Sequence, residues 1–551
     1  MSPSPSTITP YRRTQKNNLM GSIDGSSRKN ILFLIADDLG KCLGCYGAKG
    51  LQTPNIDRLA ANGTVFDLAF TSTASCSASR TVMYTGLHPH ENGQYGLAGG
   101  TSHFQSFDHI QSAPTLFNAL GYQTGIVGKV HVGPAAVFPW ESREESETRN
   151  VAWAAERAEA FFERAIETKR PFFLTVGYVD PHRDITTRSE FGNAETCDGK
   201  FVAPDVQPDQ VEIPPWLTDL PETRIEYVEY YKAIARLDYG VGLVLDALDR
   251  KGLASSTLVV LCSDNGPPFI NSKTTLYDAG TQLPFIVRLP GNSHPGTRNP
   301  NMISYIDILP TFLDWAGAPL DFCAPIEAPA KGQVWTRETR PPPPPRRLGQ
   351  SFLHIIERSD VLPDDQWQHH VYGSHTFHEI ANYWPTRVVR GRRFKYHRNI
   401  AWQLDFPFAS DLYASLTLEG VRRNHRGQAP SGKQEGVDAN VLIGARSLKQ
   451  YVRRPAEELY DLDADPLEVC NLADQPAHAT VLAQMRRTCE AWQDQTQDPW
   501  LLRDGQSVMA LRRYAGEKLH MPRAFDFVLD SAALEGLERY AVDDPRLVQG
   551  T

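Results

Sequence analysis

The sequence has few cysteines, eight in 551 residues, and they are spread along the chain. Small extracellular domains that depend on disulfides carry a much denser set, so this class is excluded. Cys42 and Cys45 are separated by two residues, but no second pair at that spacing follows them. A zinc site built from two such pairs is therefore not expected.

The chain also lacks a long apolar run and an excess of positive charge. No segment is long and apolar enough to span a bilayer, so we expect no membrane association. The 56 Lys and Arg residues against 65 Asp and Glu residues give a formal charge of −9. Such a chain has no general attraction for polyanions, which disfavours nucleic-acid binding and requires local positive charge for any anionic ligand.

The first 29 residues are rich in Ser, Pro, Thr and Asn and contain no apolar core. We expect residues 1–29 to form a disordered tail without a secretory signal. The expected location is therefore cytoplasmic, since a lysosomal or secreted location would require that the start of the chain has been assigned wrongly.

Four segments are candidates for β-strands, and polar side chains follow each of them. The segments are 30–36, 121–128, 172–177 and 257–262. The residues that follow are Asp37 and Asp38, Lys129 and His131, His182, and Asp264 and Asn265. Such runs are typical of strands buried in a parallel sheet, and ligands bind at the carboxyl edge of these sheets. Each residue alone could cap a loop or lie in the core, but four coincidences at one edge predict a shared site.

Segments with helical signals alternate with these strands, at 53–63, 151–169, 222–248 and 306–315. The alternation predicts an α/β fold, a large mixed, mainly parallel sheet sandwiched by helices, over residues 30–365. Beyond it, short strand-like runs and an amphipathic segment at 479–493 predict a smaller C-terminal domain of antiparallel sheet plus helix over 366–551. We interpret a proline-rich stretch at about 325–347 as a surface insertion.

A stretch of different character lies at 70–87, where Cys76 stands among Ser and Thr residues and Arg80 follows four positions later. Small polar residues followed by an apolar run predict a loop that enters a helix near Cys76. The first amides of a helix favour an anion, and an arginine one turn later could hold the same anion. Taken alone, the stretch is explained more simply by a buried cysteine at an ordinary helix cap.

The polar residues divide by their chemistry. Oxygen ligands, which suit Ca²⁺ or Mg²⁺ rather than zinc or iron, come from Asp37, Asp38, Asp264 and Asn265. Positive charges come from Arg80, Lys129 and Lys273, and groups able to move protons from His131 and His182. With Cys76 as a nucleophile among them, the set predicts a pocket for a tetrahedral oxyanion.

In this order the residues resemble the signature of the sulfatases of the alkaline phosphatase superfamily. The matching motifs are Asp37-Asp38, Cys76-Ser-Ala-Ser-Arg80, Gly128-Lys-Val-His131 and Ser263-Asp-Asn-Gly266. Position 78 is alanine where that signature usually has proline. Within the family the chain looks most similar to the heparan N-sulfatases, or sulfamidases, on the stretches 90–97, 103–108, 128–134, 180–183, 238–243 and 498–500.

The resemblance implies an alkaline phosphatase-like fold and a sulfated sugar, or another small sulfated molecule, as the substrate. It also implies that a formylglycine-generating enzyme oxidises Cys76 to formylglycine, whose hydrate attacks sulfur. One divalent cation, Ca²⁺ in the first place and Mg²⁺ as the alternative, would be held by Asp37, Asp38, Cys76, Asp264 and Asn265. Arg80 and Lys129 would hold the hydrate and the sulfuryl oxygens. His182 and Lys273 would act on the leaving group. His131 would remove the proton from the remaining hydroxyl, which expels sulfate. The resemblance is compatible with a homodimer.

Two other functions stay open at this point. A phosphomonoesterase or phosphodiesterase of the same superfamily would also bind a tetrahedral oxyanion, although such enzymes usually have Ser or Thr as the nucleophile and histidines at the metal. The other is a catalytically silent protein that binds an oxyanion or a glycan. For substrate choice, the stretch 374–379 follows a strand candidate, so we predict that His375, His378 and Glu379 line the sugar pocket. The alternative for this stretch is a solvated loop.

Overall fold

The computed structural model describes residues 29–325, except 185, 188, 189 and 196, together with residues 342–426 and 441–501. The predicted tail of residues 1–29, apart from residue 29 itself, and most of the proline-rich stretch lie outside these ranges. None of the helices within them combines the length and the apolar character that crossing a bilayer requires.

A large mixed sheet forms the centre of the molecule. Its strands are β1 (Asn30–Ala36), β2 (Thr64–Phe70), β3 (Gln123–Gly128), β4 (Ser142–Glu145), β5 (Phe172–Gly177), β6 (Thr257–Ser263), β7 (Phe285–Arg288) and β8 (Thr297–Ser304). Their order is β4-β3-β5-β1-β6-β7-β2-β8. All neighbours pair in parallel except β7, which runs opposite to β6 and β2. β1 lies between β5 and β6, so it is covered along both edges as well as both faces.

Helices pack on both faces of this sheet. They are α1 (Pro54–Ala61), α2 (Cys76–Thr85), α3 (Pro89–Asn92), α4 (Ala113–Ala119), α5 (Val151–Thr168), α6 (Pro221–Arg250), α7 (Asp278–Thr281) and α8 (Ile308–Trp315). Alternate residues of a strand point to opposite faces. Accordingly, Leu32 and Leu34 of β1 lie in the core with α1, α5 and α6. Phe33 lies in the opposite core with α2, α4 and α8, which makes this a three-layer structure.

The chain after residue 369 adds a second, antiparallel sheet. The helices and strands of this part of the chain are β9 (His370–His375), β10 (Thr386–Gly391), β11 (Phe394–Asn399), α9 (Ser410–Tyr413), α10 (Leu416–Arg426), β12 (Leu442–Ile443), β13 (Arg446–Ser447), α11 (Leu448–Val452), β14 (Glu457–Asp461) and α12 (Ala479–Gln495). The order β14-β11-β10-β9 is antiparallel throughout, and α12 packs on it through Leu482 and Trp492. The two sheets together confirm the predicted fold class.

The proline-rich stretch ends in a packed arginine. The guanidinium of Arg347 donates to the backbone carbonyls of Thr85 and Phe322, both at 3.0 Å, and of Gln111 at 3.2 Å. This end of the predicted surface insertion is therefore fixed against the layer that contains α2. Residues 326–341 lie outside the described residues.

A buried carboxylate joins α6 to the chain of the smaller sheet. Glu226 forms an ion pair with Arg183 in which both side chains are fully buried. It also accepts hydrogen bonds from Ser415 Oγ at 2.9 Å, from the amide of Leu416 at 3.0 Å, and from Thr417 through its amide at 3.0 Å and its Oγ1 at 2.6 Å. Burial would raise the pKa of Glu226, but Arg183 and Thr417 lower it below its usual 4.5. Glu226 is therefore ionised and fixes the start of α10.

We expect Glu226→Gln to lower the free energy of unfolding by about 3–5 kcal/mol, because it leaves the buried Arg183 without its counter-charge. Urea denaturation would measure this loss. The matched control is Glu229→Gln on the same helix, where the partner Lys232 is 2.7 Å away and both side chains are more than a quarter exposed; here the loss should stay below about 1 kcal/mol. Equal losses would contradict the role given to Glu226. The stabilisation is present above pH 4.5 and should be lost as the pH falls through the lower folded-state pKa.

Candidate active site

Cys76 is the first residue of α2 and is buried where the segment that follows β2 ends. This confirms the predicted loop entering a helix. The Sγ atom lies 3.4 Å from Asp37 Oδ1 and 3.9 Å from Asp38 Oδ1. Burial and the neighbouring Asp37 raise the pKa of the Cys76 thiol well above its ordinary value. The thiol is therefore protonated and a poor nucleophile as it stands.

The acidic residues come together because β1 and β6 are neighbours in register. Ala36 pairs with Ser263, which places Asp37 and Asp38 beside Asp264 and Asn265. The amide of Asp38 donates to Asp264 Oδ1 at 3.1 Å, and Asn265 Nδ2 donates to Asp38 Oδ1 at 2.6 Å. One ligand atom from each of Asp37, Asp38, Cys76 and Asp264 can be chosen so that all four lie within 4.8 Å of one another.

This cluster fits a hard divalent cation. All its members are fully buried, and burial raises the pKa of Asp38 to about 7 despite the lowering effect of Lys273. Among the described residues, Asn265 Oδ1 is buried without a hydrogen-bond partner, as a ligand oxygen without its ion would be. Carboxylate and amide oxygens are the ligands that Ca²⁺ and Mg²⁺ prefer. The donor set therefore suits these ions better than zinc or iron.

Two cations lie directly against the acidic cluster. Arg80, one turn after Cys76, bonds Asp264 Oδ2 through Nε at 2.9 Å and Asp37 Oδ2 through Nη2 at 3.2 Å. Lys129 follows β3 and pairs with Asp37. It turns toward Asp37 at Gly128, whose φ of 83° favours glycine. The predicted anion-binding pair is thus assembled around one carboxylate.

A third cation, Lys273, lies at the other side of the cluster. Its Nζ is 2.9 Å from Asp38 Oδ2 and 3.3 Å from His182 Nε2. His182 Nδ1 is 2.6 Å from the carbonyl of Arg183, so Nδ1 carries the proton and Nε2 accepts from Lys273. Burial and Lys273 lower the pKa of His182 well below its ordinary value, so this histidine is neutral.

His131 completes the set. One of its ring nitrogens lies within 4.8 Å of ligand atoms of both Asp37 and Cys76. Burial and Lys129 lower its pKa well below the ordinary value. In the part of the chain that the structure describes, His131 Nδ1 is buried without a partner. His131 and Asp38 both have a left-handed φ, of 55° and 66°, a conformation that costs non-glycine residues of the order of 1 kcal/mol each.

Comparison with known proteins agrees with this site. The sulfatase family model matches residues 29–318. The human N-sulphoglucosamine sulphohydrolase is 34% identical over 497 residues, which cover 86% of this chain and 91% of that protein. The chain belongs to the sulfatase family.

Two further similar proteins also align along most of this chain. An ulvan-active sulfatase from Formosa agariphila is 27% identical and covers 85% of this chain and 80% of its own. A protein solved in complex with its substrate D-glucosamine-2-N,6-O-disulfate superposes with a TM-score of 0.57 at 18% identity, covering 86% of this chain and 98% of its own. The family membership makes this enzyme a sulfuric ester hydrolase, and sulfatases generally use a metal ion and formylglycine. Membership of this family also favours a sulfatase over the two other functions left open above, a phosphoesterase and a catalytically silent binding protein.

Two of the three residues predicted to bind substrate in the sulfatase, His375 and His378, are buried and not solvated. His375 Nδ1 is 3.1 Å from Thr73 Oγ1, and His378 Nδ1 is 2.9 Å from Ser75 Oγ. Burial lowers the pKa of His375 to about 3 and that of His378 to about 4. Both histidines thus connect the smaller sheet to the segment in front of Cys76, and their substrate contacts stay a prediction.

Glu379 has a different environment from the two histidines. It is half-buried, and its carboxylate accepts from the amide of Ser410 at 3.1 Å and from the Ser410 hydroxyl. Both oxygens of Glu379 therefore bind the first residue of α9.

The sulfatase site contains one carboxylate that the sequence analysis did not identify. Asp411, the second residue of α9, places Oδ2 2.8 Å from Lys273 Nζ. One ligand atom each of Asp38, His182 and Asp411 lie within 4.8 Å of one another. The stretch around Asp411 has no strand pattern and no motif, so the local sequence carries no signal for it.

Proposed function

We propose that this sulfatase hydrolyses the N-sulfate group of an N-sulfoglucosamine-type sugar. The proposal is supported by the similarity to the human N-sulphoglucosamine sulphohydrolase along most of both chains. The site is chemically suited to such a substrate, because buried cations pair with both carboxylates that lie beside Cys76 and can balance a sulfuryl group.

Formylglycine at position 76 and one cation, Ca²⁺ rather than Mg²⁺, belong to the proposal. The residues that would hold the cation are Asp37, Asp38, Asp264 and Asn265, together with residue 76. When present, these two groups supply a hydroxyl nucleophile and neutralise negative charge beside it.

The chain's own side chains account for binding and proton transfer. Arg80 and Lys129 bind the sulfuryl oxygens, since both are held in place by Asp37. Lys273 is the proton donor toward the leaving nitrogen, because in its pair with His182 it carries the protons and His182 Nε2 accepts. His131, neutral and with a free Nδ1 among the described residues, accepts a proton beside residue 76.

The deciding experiment is release of sulfate from N-sulfoglucosamine, measured by ion chromatography on enzyme whose residue 76 has been characterised by mass spectrometry. A glucosamine nitrogen leaves poorly unless it is protonated, so we expect an acidic pH optimum with this substrate. Hydrolysis of an activated aryl sulfate without any release from N-sulfoglucosamine would reduce the assignment to a sulfatase of another specificity.

We expect Glu379→Gln to lower turnover of N-sulfoglucosamine about tenfold more than turnover of 4-nitrophenyl sulfate. An amide binds Ser410 more weakly than a carboxylate and shifts α9 beside Lys273, whereas a nitrophenolate leaves without assistance. Steady-state kinetics on both substrates would measure the difference. Equal losses on the two substrates would show that Glu379 does not contribute to specificity.

A further inference from the structure

Asp411 has one oxygen bound and one oxygen unused. Oδ2 contacts Lys273 Nζ at 2.8 Å, and the side chain is 7% exposed. Within the described part of the chain, Oδ1 is buried and has no hydrogen-bond partner. A buried carboxylate oxygen is costly to leave unpaired, so the position of this oxygen on a carboxylate that binds Lys273 requires an explanation.

The groups around Asp411 keep it ionised. Burial alone would raise the pKa of Asp411, but the Lys273 ammonium, which contacts Oδ2, lowers it well below its usual value. Asp38, another nearby acid, binds the same Lys273 Nζ, at 2.9 Å. Oδ1 can therefore only accept a hydrogen bond.

The position of Asp411 relates it to the leaving group. In the proposed function Lys273, which is hydrogen-bonded to His182, donates the proton to the leaving nitrogen. Asp411 contacts Lys273 directly and comes within 4.8 Å of His182. The Asp411 carboxylate thus lies next to the Lys273–His182 pair, which acts at the leaving atom in the proposed function.

The two substrate classes differ at this atom. The bridging nitrogen of a sulfamate carries a hydrogen and can donate to a carboxylate. The bridging oxygen of a sulfate ester carries none and presents only lone pairs, which a carboxylate repels. A fixed carboxylate beside the leaving atom therefore favours nitrogen and disfavours oxygen.

We propose that Asp411 Oδ1 accepts a hydrogen bond from the N–H of the substrate and so selects a nitrogen leaving group over an oxygen one. This inference rests on the proposed function and names the residue that determines its specificity. In the net reaction, R–NH–SO₃⁻ and water give R–NH₃⁺ and SO₄²⁻. The S–N bond breaks, its electron pair stays on nitrogen, and the two hydrogens of the water end on that nitrogen. Asp411 stays ionised throughout and holds the resulting ammonium.

The fold fixes Asp411 on both sides. Glu379 binds Ser410, directly before it, and Glu226 binds Ser415, Leu416 and Thr417, shortly after it. A carboxylate that discriminates between two atoms must be held to within a fraction of an ångström. Glu379 is then a positioning residue, which acts through α9.

The test is Asp411→Asn, which keeps the shape of the side chain and removes its charge. We expect kcat/KM for N-sulfoglucosamine to fall about 100-fold and kcat/KM for 4-nitrophenyl sulfate to fall less than about tenfold. The matched control is Asp405→Asn, an acid of the same region that is 67% exposed and 3.5 Å from Arg453; it should leave both substrates unaffected. Equal losses in Asp411→Asn with an active wild type would refute the inference and leave the proposed function standing. A wild type inactive on N-sulfoglucosamine would instead refute the proposed function.

A binding measurement gives a second readout that does not depend on turnover of N-sulfoglucosamine. Glucosamine, whose ammonium fits Asp411 Oδ1, should inhibit hydrolysis of 4-nitrophenyl sulfate by the wild type about tenfold more strongly than glucose does. Asp411→Asn should lose this preference. If Asp411→Asn does not fold, the wild-type comparison still decides, because equal inhibition by the two sugars would overturn the inference.

Discussion

Replacing Cys76 by alanine is expected to lower sulfate release by about 10⁴-fold or more, the scale of loss that follows removal of a covalent nucleophile. The active wild type should carry formylglycine at this position. As a thiol, Cys76 is protonated in its buried site, and it has no second hydroxyl with which to expel sulfate. An oxidised side chain with hydroxyl oxygens would match the hard oxygen ligands around position 76 better than a thiol does.

Mass spectrometry of the tryptic peptide 59–80, released by cleavage after Arg58 and Arg80, would identify the group. The modified peptide is lighter, because an aldehyde oxygen replaces the thiol sulfur. Cys323→Ser, at an exposed cysteine, is the matched control and should retain activity. An intact thiol in fully active enzyme would contradict this prediction.

Asp264→Ala should lose most of the bound metal and lower activity about 10³-fold or more. Asp264 contributes one of the three carboxylates of the cluster, and it also orients Arg80 through a 2.9 Å ion pair. Elemental analysis of purified protein would give the metal content, and thermal unfolding would show that the variant is folded. Asp246→Ala, whose side chain is 47% exposed, is the control and should keep its metal. Stoichiometric zinc in the wild type would show that the site is assigned wrongly.

The strands that carry the site could be predicted because they are buried on both faces. β1, β5 and β6 are mainly apolar runs, and the acids and His182 follow their carboxyl ends. The sequence analysis did not identify β2, β4, β7 or β8. β4 and β7 have only four residues each, and β8 contains Pro300 among Asn and Thr. Proline is tolerated there because β8 lies at the edge of the sheet and pairs only with β2.

The place of Asp411 in the site could not be predicted from the sequence around it. Nothing in its neighbourhood distinguishes it from a solvated acid, and its partner Lys273 lies 138 positions away. The ends of parallel strands can be aligned from a sequence because these strands share an edge of the sheet. No comparable rule places a short helix such as α9 against the loop that carries Lys273. His375 and His378 illustrate the same point, since a strand end predicted their neighbourhood but not their bonds to Thr73 and Ser75.

The burial of Cys76 has a consequence for the maturation of the enzyme. Cys76 is 1% exposed. The segment in front of it is bonded to His375 and His378, which lie 302 and 303 positions after their respective partners Thr73 and Ser75. An oxidising enzyme cannot reach this side chain once those bonds exist, so we expect the newly made chain, and not the finished protein, to be its substrate. Because the closing residues are synthesised about 300 positions later, the order of the sequence itself leaves Cys76 accessible while the ribosome makes the intervening chain.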